Sequence, residues 1–134
     1  MIALAQSRPG QALEHFDQAL ARDGGFQNAL LGRANALRML RRHAEAIAAY
    51  ELFLSIQPDS SEAWHNRGVS LCELRRLDEA VQSLGKAIAL FPRSAQSLYN
   101  RGLAFAELRD FEKVRQISHG NQAWNCGSAN LATA

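Results

Sequence analysis

Cysteine and proline are scarce in this chain of 134 residues, aromatic residues make up 7% of it, and no long apolar run occurs. Two cysteines, Cys72 and Cys126, are too few for a disulfide framework. They suit a reduced, intracellular protein, and the cytoplasm is the expected location. The small number of prolines and a charged fraction of 21% argue against general disorder. No segment approaches the ~20 consecutive apolar residues of a membrane span. Residues 1–5 are apolar, but they have neither the basic leader nor the length of a secretory signal. The formal net charge is only +2, with basic residues interleaved among Glu and Asp. That balance gives no reason to expect nucleic acid or an anionic membrane as a partner.

Motifs that carry chemistry are also missing. The chain has no G-x-S-x-G elbow, no phosphate-binding glycine loop and no H-E-x-x-H. His65 and Cys72 share one helix face, with Glu62 and Glu73 nearby, but no zinc-type spacing such as C-x2-C or H-x3-H occurs. His15, His43 and His119 have no shared spacing. No catalytic residue, metal or cofactor is therefore expected, and the protein is not read as an enzyme.

What the chain does have is a period. Pro58 and Pro92 are 34 residues apart, and their surroundings keep that interval. Arg33 recurs as Arg67 and Arg101. Leu37, Leu40, Arg41 and Arg42 recur as Leu71, Leu74, Arg75 and Arg76. Glu45 and Ala46 recur as Glu79 and Ala80, and Asn66, Arg67 and Gly68 as Asn100, Arg101 and Gly102. Self-similarity at this period is the mark of stacked supersecondary units.

Within each unit the apolar residues follow helical spacing. First helices show Leu30–Ala34–Leu37, Trp64–Gly68–Leu71 and Leu98–Gly102–Phe105. Second helices show Ala46–Tyr50–Phe53–Leu54 and Ala80–Leu84–Ala87–Ile88, with an earlier one at Ala12–Phe16–Ala19–Leu20. Ala34, Gly68 and Gly102 stand where a paired helix must come close. Glycine inside a helix costs about 1 kcal/mol relative to alanine, so its reuse at one register points to tight packing. Phe16, Tyr50, Trp64, Phe105 and Phe111 are expected in the core. The two prolines end second helices, the run Asp59-Ser60-Ser61-Glu62 offers cap residues and a first-turn acid, and Ser94 does the same for the next unit. The pattern predicts helices near 11–22, 27–40, 44–57, 61–74, 78–91, 95–108 and 110–118. Arg33, Arg67 and Arg101 either lie over neighbouring helices or pair with acids such as Glu45 and Glu79.

Residues 61–92, SEAWHNRGVSLCELRRLDEAVQSLGKAIALFP, closely resemble a tetratricopeptide repeat. Trp64, Gly68, Leu71, Ala80, Leu84, Ala87 and Pro92 fall on the family's signature places. Residues 27–60 match with Phe53 in place of a small residue, and residues 95–117 match until Val114 stands where alanine is expected. The resemblance implies an all-α fold, a right-handed α-α superhelix of stacked antiparallel helix pairs. It divides residues 1–117 into a partial unit 1–26, units 27–60 and 61–94, and an incomplete unit 95–117. Residues 118–134 show no helical periodicity and are expected to form an irregular tail. The wording around NRG and A-x-P is also similar to bacterial arrays of O-linked N-acetylglucosaminyltransferase-like proteins.

First helices of this family line a concave groove that binds proteins or peptides. The resemblance therefore places Asn28, Asn35, Arg38, His65, Asn66, Tyr99 and Asn100 at the groove, with Leu31, Val69, Cys72 and Leu103 beside them. The leading expectation is a protein- or peptide-binding scaffold. The alternatives are a non-catalytic arm of a larger transferase-like protein and a self-assembling module that pairs through open array ends. The family's clamp for acidic C-termini uses two asparagines and three basic residues. Asn35 and Asn66 match the asparagines, but Leu31, Gln96 and Asn100 occupy the basic places. Asn66 and Asn100 resemble the asparagine ladder of the transferase arrays, and Gly32 interrupts it in the preceding unit.

Overall fold

The computed structural model describes residues 8–24 and 26–119, with side chains through residue 109. Six helices follow one another there: α1 Pro9–Arg22, α2 Gln27–Met39, α3 His43–Ile56, α4 Ser61–Glu73, α5 Leu77–Leu90 and α6 Ala95–His119. No strand occurs among the described residues. Each helix packs on its neighbours in sequence, and α4 also touches the other first helices, α2 and α6. The architecture is the all-α solenoid of helix pairs that the period implies. Pro9 begins α1, at the one helical position where its missing N–H costs nothing. Ser60 Oγ caps α4 by accepting from Ala63 N at 3.2 Å. Ser94 Oγ caps α6 by accepting from Ser97 N at 3.1 Å.

The predicted stripes form the core. Leu30, Ala34 and Leu37 of α2 meet Ala46, Tyr50 and Phe53 of α3 in one cluster, which Ala63 joins from α4. Ile47 packs with Leu71 and Ala80 across to the next pair. Leu37, Tyr50, Leu71 and Leu84 have no exposed surface. Burying a side chain of this size contributes about 1.5–3 kcal/mol. The small-residue register does what its spacing implies, because a Cβ on Gly68 would lie 2.7 Å from Leu84 Cγ.

The turns inside the helix pairs use arginine where glycine is usual. Arg41 and Arg75 have φ of 62° and 63°, in the left-handed region. The following N–H groups close the turn, Arg42 N to Leu37 O and Arg76 N to Leu71 O, both at 2.9 Å. Left-handed backbone costs a side-chain-bearing residue about 1 kcal/mol, so the turn needs support. Arg42 and Arg76 supply it through two-pronged pairs with Glu45 and Glu79 at 2.7–2.8 Å. In both pairs the hydrogen bond to arginine is the main reason that the carboxyl lies below its ordinary range.

One expectation fails at the next turn. The predicted helices 95–108 and 110–118 are a single helix, α6. At the staple positions the sequence reverses the charges, with Asp110 for Arg76 and Lys113 for Glu79. It also puts Val114 at the Ala80 register and Ser118 at the Leu84 register. Neither a stapled turn nor a close-packing partner is encoded, so helical hydrogen bonding continues. Ser118 and His119, assigned to the irregular tail, are its last turn. The rest of that tail, including Trp124 and Cys126, lies outside the described residues. So does the side chain of Phe111.

This continuation corrects a second expectation. Phe105 is 52% exposed, whereas Leu37 and Leu71 at the same register are fully buried. A Cβ on Gly102 would meet nothing within 4 Å. Among the described residues no second helix seats on the Leu98–Gly102–Phe105 stripe.

Candidate functional site

Side chains of α4 and α6, with Arg75 of the turn after α4 and Phe91 and Ser94 of the loop before α6, build two hollows. One, of about 390 Å³, lies between α4 and α6 and is lined by Val69, Cys72, Glu73, Arg75, Asn100, Leu103 and Glu107. The other, of about 430 Å³, is lined by Ser61, Glu62, His65, Asn66, Phe91, Ser94, Gln96 and Ser97. The i, i+3 and i+4 spacing of α4 explains the division. His65 and Asn66 face one hollow, and Val69, Cys72 and Glu73, a turn or two further on, face the other.

A polar network closes the end of this face nearest α2. Asn35 Oδ1 accepts from the Tyr50 hydroxyl and from Asn66 Nδ2, the latter at 3.0 Å. Arg38 Nε donates to Tyr50 Oη at 3.3 Å. Burial pushes the Tyr50 phenol up to about 12, against the pull of Arg38. Tyr50 therefore stays a neutral donor at physiological pH. His65 Nδ1 lies 2.8 Å from Ser97 Oγ on α6. Burial lowers its pKa, helped by Arg38. Burial raises the Cys72 thiol, with Glu107 and Glu73 adding to the effect. A thiol shifted that way is a poor nucleophile.

The expected groove residues thus have unequal environments. Asn35, Arg38, Asn66 and His65 are half-buried and bonded within the protein. Tyr99 is 67% exposed, as its position off the packing stripe implies. Asn28 is exposed and lines neither hollow. Asn100 lines the hollow between α4 and α6 and makes no hydrogen bond among the described residues, so its amide offers both a donor and an acceptor. The two asparagine rungs therefore differ: Asn66 is tied back to Asn35, and Asn100 is open.

Sequence reasoning missed the ion pairs that rim this face. Arg41 Nη2 meets Glu73 Oε1 at 2.8 Å, and Arg75 Nη1 meets Glu107 Oε2 at 2.5 Å. Both arginines and both glutamates repeat at 34 residues, so the pair recurs from unit to unit. That shared recurrence was the available signal. The partners proposed for the Arg33 register are also corrected. Arg33 pairs with Asp17 and Arg67 with Glu51, each at 2.8 Å and each from the preceding second helix. Glu45 and Glu79 are instead held by Arg42 and Arg76. No group of three or more His, Cys, Asp or Glu that could hold a metal occurs among the described residues.

A solenoid of helix pairs with a polar and apolar face along its first helices defines a class of repeat proteins. The chain belongs to the tetratricopeptide repeat family, whose models match residues 1–61 and 61–94. The first TPR domain of human RPAP3 superposes with a TM-score of 0.77 at 19% identity, covering 82% of this chain and 87% of that one. The Sgt2 TPR domain from Aspergillus fumigatus gives 0.77 at 20% identity, covering 84% and 76%. The first TPR of Spaghetti (RPAP3), bound to the HSP90 peptide SRMEEVD, gives 0.76 at 19% identity over 79% and 84%. MamA gives 0.75 at 21% identity, and there the match spans 79% of this chain and 62% of the MamA chain. At these identities the superpositions show a shared fold alone. The narrower likeness to transferase arrays does not follow from them. No curated protein matches the sequence.

Proposed function

We propose that this chain is a non-catalytic scaffold that holds an extended peptide along α2, α4 and α6, gripping it at the α4–α6 hollow. The observation that carries the reading is the lining of that hollow. Val69 and Leu103 give it apolar surface, and the open Asn100 amide sits among them. Such a lining favours apolar side chains, with one amide to pair a backbone N–H and C=O. Relatives by fold have been solved with HSP90 and HSP70 peptides, which supports a peptide as the class of ligand. The test begins with selection of binders from a random peptide library. Asn100→Ala should then weaken the selected peptide by about 2- to 12-fold, the equivalent of one hydrogen bond of 0.5–1.5 kcal/mol. Leu103→Glu should abolish binding. Unchanged affinity in both variants, with helicity retained, would refute this site.

A second reading, self-assembly, is favoured by the Leu98–Gly102–Phe105 stripe. The occupant we propose is a second copy of the chain. The chain itself carries second helices, α3 and α5, that seat on this register in α2 and α4.

A further inference from the structure

His43 is the first residue of α3, and it is 8% exposed. Its Nδ1 lies 3.3 Å from Ser70 Oγ on α4, and Ser70 is itself fully buried. The other ring nitrogen, Nε2, is buried with no partner among the described residues. A period away the same two places hold Leu77 and Ala104, both buried. A polar pair has thus been put into a seam that the next unit fills with hydrocarbon.

We propose that this seam is an acid-sensitive joint, in which protonation of His43 parts the α2–α3 pair from the α4–α5 pair. A charged ring there would have two N–H donors, and nothing in the seam accepts from Nε2. It would also sit at the N-terminus of α3, where the helix dipole opposes positive charge. Arg38 of α2 and Arg41 of the turn oppose it as well, and Glu73 of α4 favours it. Burial is the largest influence, and the net effect holds His43 below the ordinary histidine value. A lowered histidine favours the folded state above about pH 6.5. That advantage is lost as pH falls from there to the folded value, because the unfolded chain takes up the proton first.

The joint also lies under the groove, since Asn35 and Asn66 bridge the same two pairs. Weaker ligand binding in acid would follow, and that consequence rests on the scaffold reading. The test of the joint uses no ligand, so the two can fail separately. Urea midpoints of the full chain would be measured between pH 7.5 and 5.5, a range above most carboxyl titrations. The midpoint should fall on acidification in the native chain. Most of that fall should vanish in His43→Leu/Ser70→Ala, which transplants the next unit's pair. His65→Asn should remove less of it. In proton NMR of the native chain, the His43 ring should titrate below pH 6.5, and amides of α3 and α4 should exchange faster as it does. A His43 titration at or above 6.5, or a double variant that keeps the whole pH dependence, would overturn the proposal. If the double variant does not fold, the NMR titration decides alone.

Discussion

Arg67 Nη2 lies 2.8 Å from Glu51 Oε2, and the contact joins the first helix of one unit to the second helix of the unit before it. Arg33 and Asp17 repeat the contact one period earlier. One period later Arg101 faces Gly85 instead, and its guanidinium rests 5.9 Å from the centre of the Phe105 ring. A Cβ on Gly85 would lie 3.9 Å from Arg101 Nη1, which is open contact distance. Gly85→Glu should therefore restore the missing rung and remove a glycine from the interior of α5. Helix propensity contributes roughly 0.6 kcal/mol and a partly exposed ion pair a few tenths more, for a gain of about 1 kcal/mol. Urea denaturation checks this, and a destabilised variant would show that the rung is not transferable.

The two glycines at the close-packing register should answer oppositely to alanine. Gly68→Ala places a methyl 2.7 Å from Leu84 Cγ, inside a core where Leu84 cannot retreat. A net loss of about 1–2 kcal/mol is expected, from an overpacking cost of 1–3 kcal/mol offset in part by helix propensity. Gly102→Ala meets nothing within 4 Å and should gain up to about 1 kcal/mol. Thermal melts of both variants at low protein concentration decide the matter. Equal responses would mean that the α6 stripe is already covered.

Peptides ending in EEVD should not bind this groove, although fold relatives are known with such peptides. Leu31, Gln96 and Asn100 supply no cation at the clamp's basic places. The arginines that do reach this face are engaged, Arg41 with Glu73, Arg75 with Glu107 and Arg38 with Tyr50. Asn35 already accepts two hydrogen bonds. A terminal carboxylate would give up its hydration without gaining charge-assisted hydrogen bonds in return. Calorimetry should show no saturation at peptide concentrations of about 0.1 mM; a dissociation constant near 1 μM would contradict the expectation.

Self-association should appear with rising concentration and should depend on α6. Leu98 and Phe105, on the stripe that no second helix covers among the described residues, are each about half exposed. Patches of this kind mark association sites. Sedimentation analysis should detect larger species by about 0.1 mM, a range in which weak interfaces become visible. Phe105→Glu should return the chain to a monomer without loss of helicity. A monomer at every concentration would exclude this use of the stripe.

The sequence by itself determined the helix pairs, their faces and their close-packing residues. Those features are local or periodic. A 3.6-residue spacing fixes which side of a helix is apolar, and a 34-residue spacing fixes which positions are equivalent, so Leu37, Leu71 and Gly68 could be placed from their intervals. Tertiary structure decided which partner each polar side chain takes. Arg67 stands 12 residues before Glu79 and 16 after Glu51, and sequence distance gives no reason to prefer either. The stagger between successive units brings Glu51 within reach, while the turn claims Glu79 for Arg76. The same stagger ties Asn66 to Asn35, leaves Asn100 open and sets His43 against Ser70. The unbroken run of α6 had a trace in the sequence, in Asp110, Lys113 and Val114. That trace depends on the tertiary pairing, because Arg42 and Arg76 staple the other turns through Glu45 and Glu79.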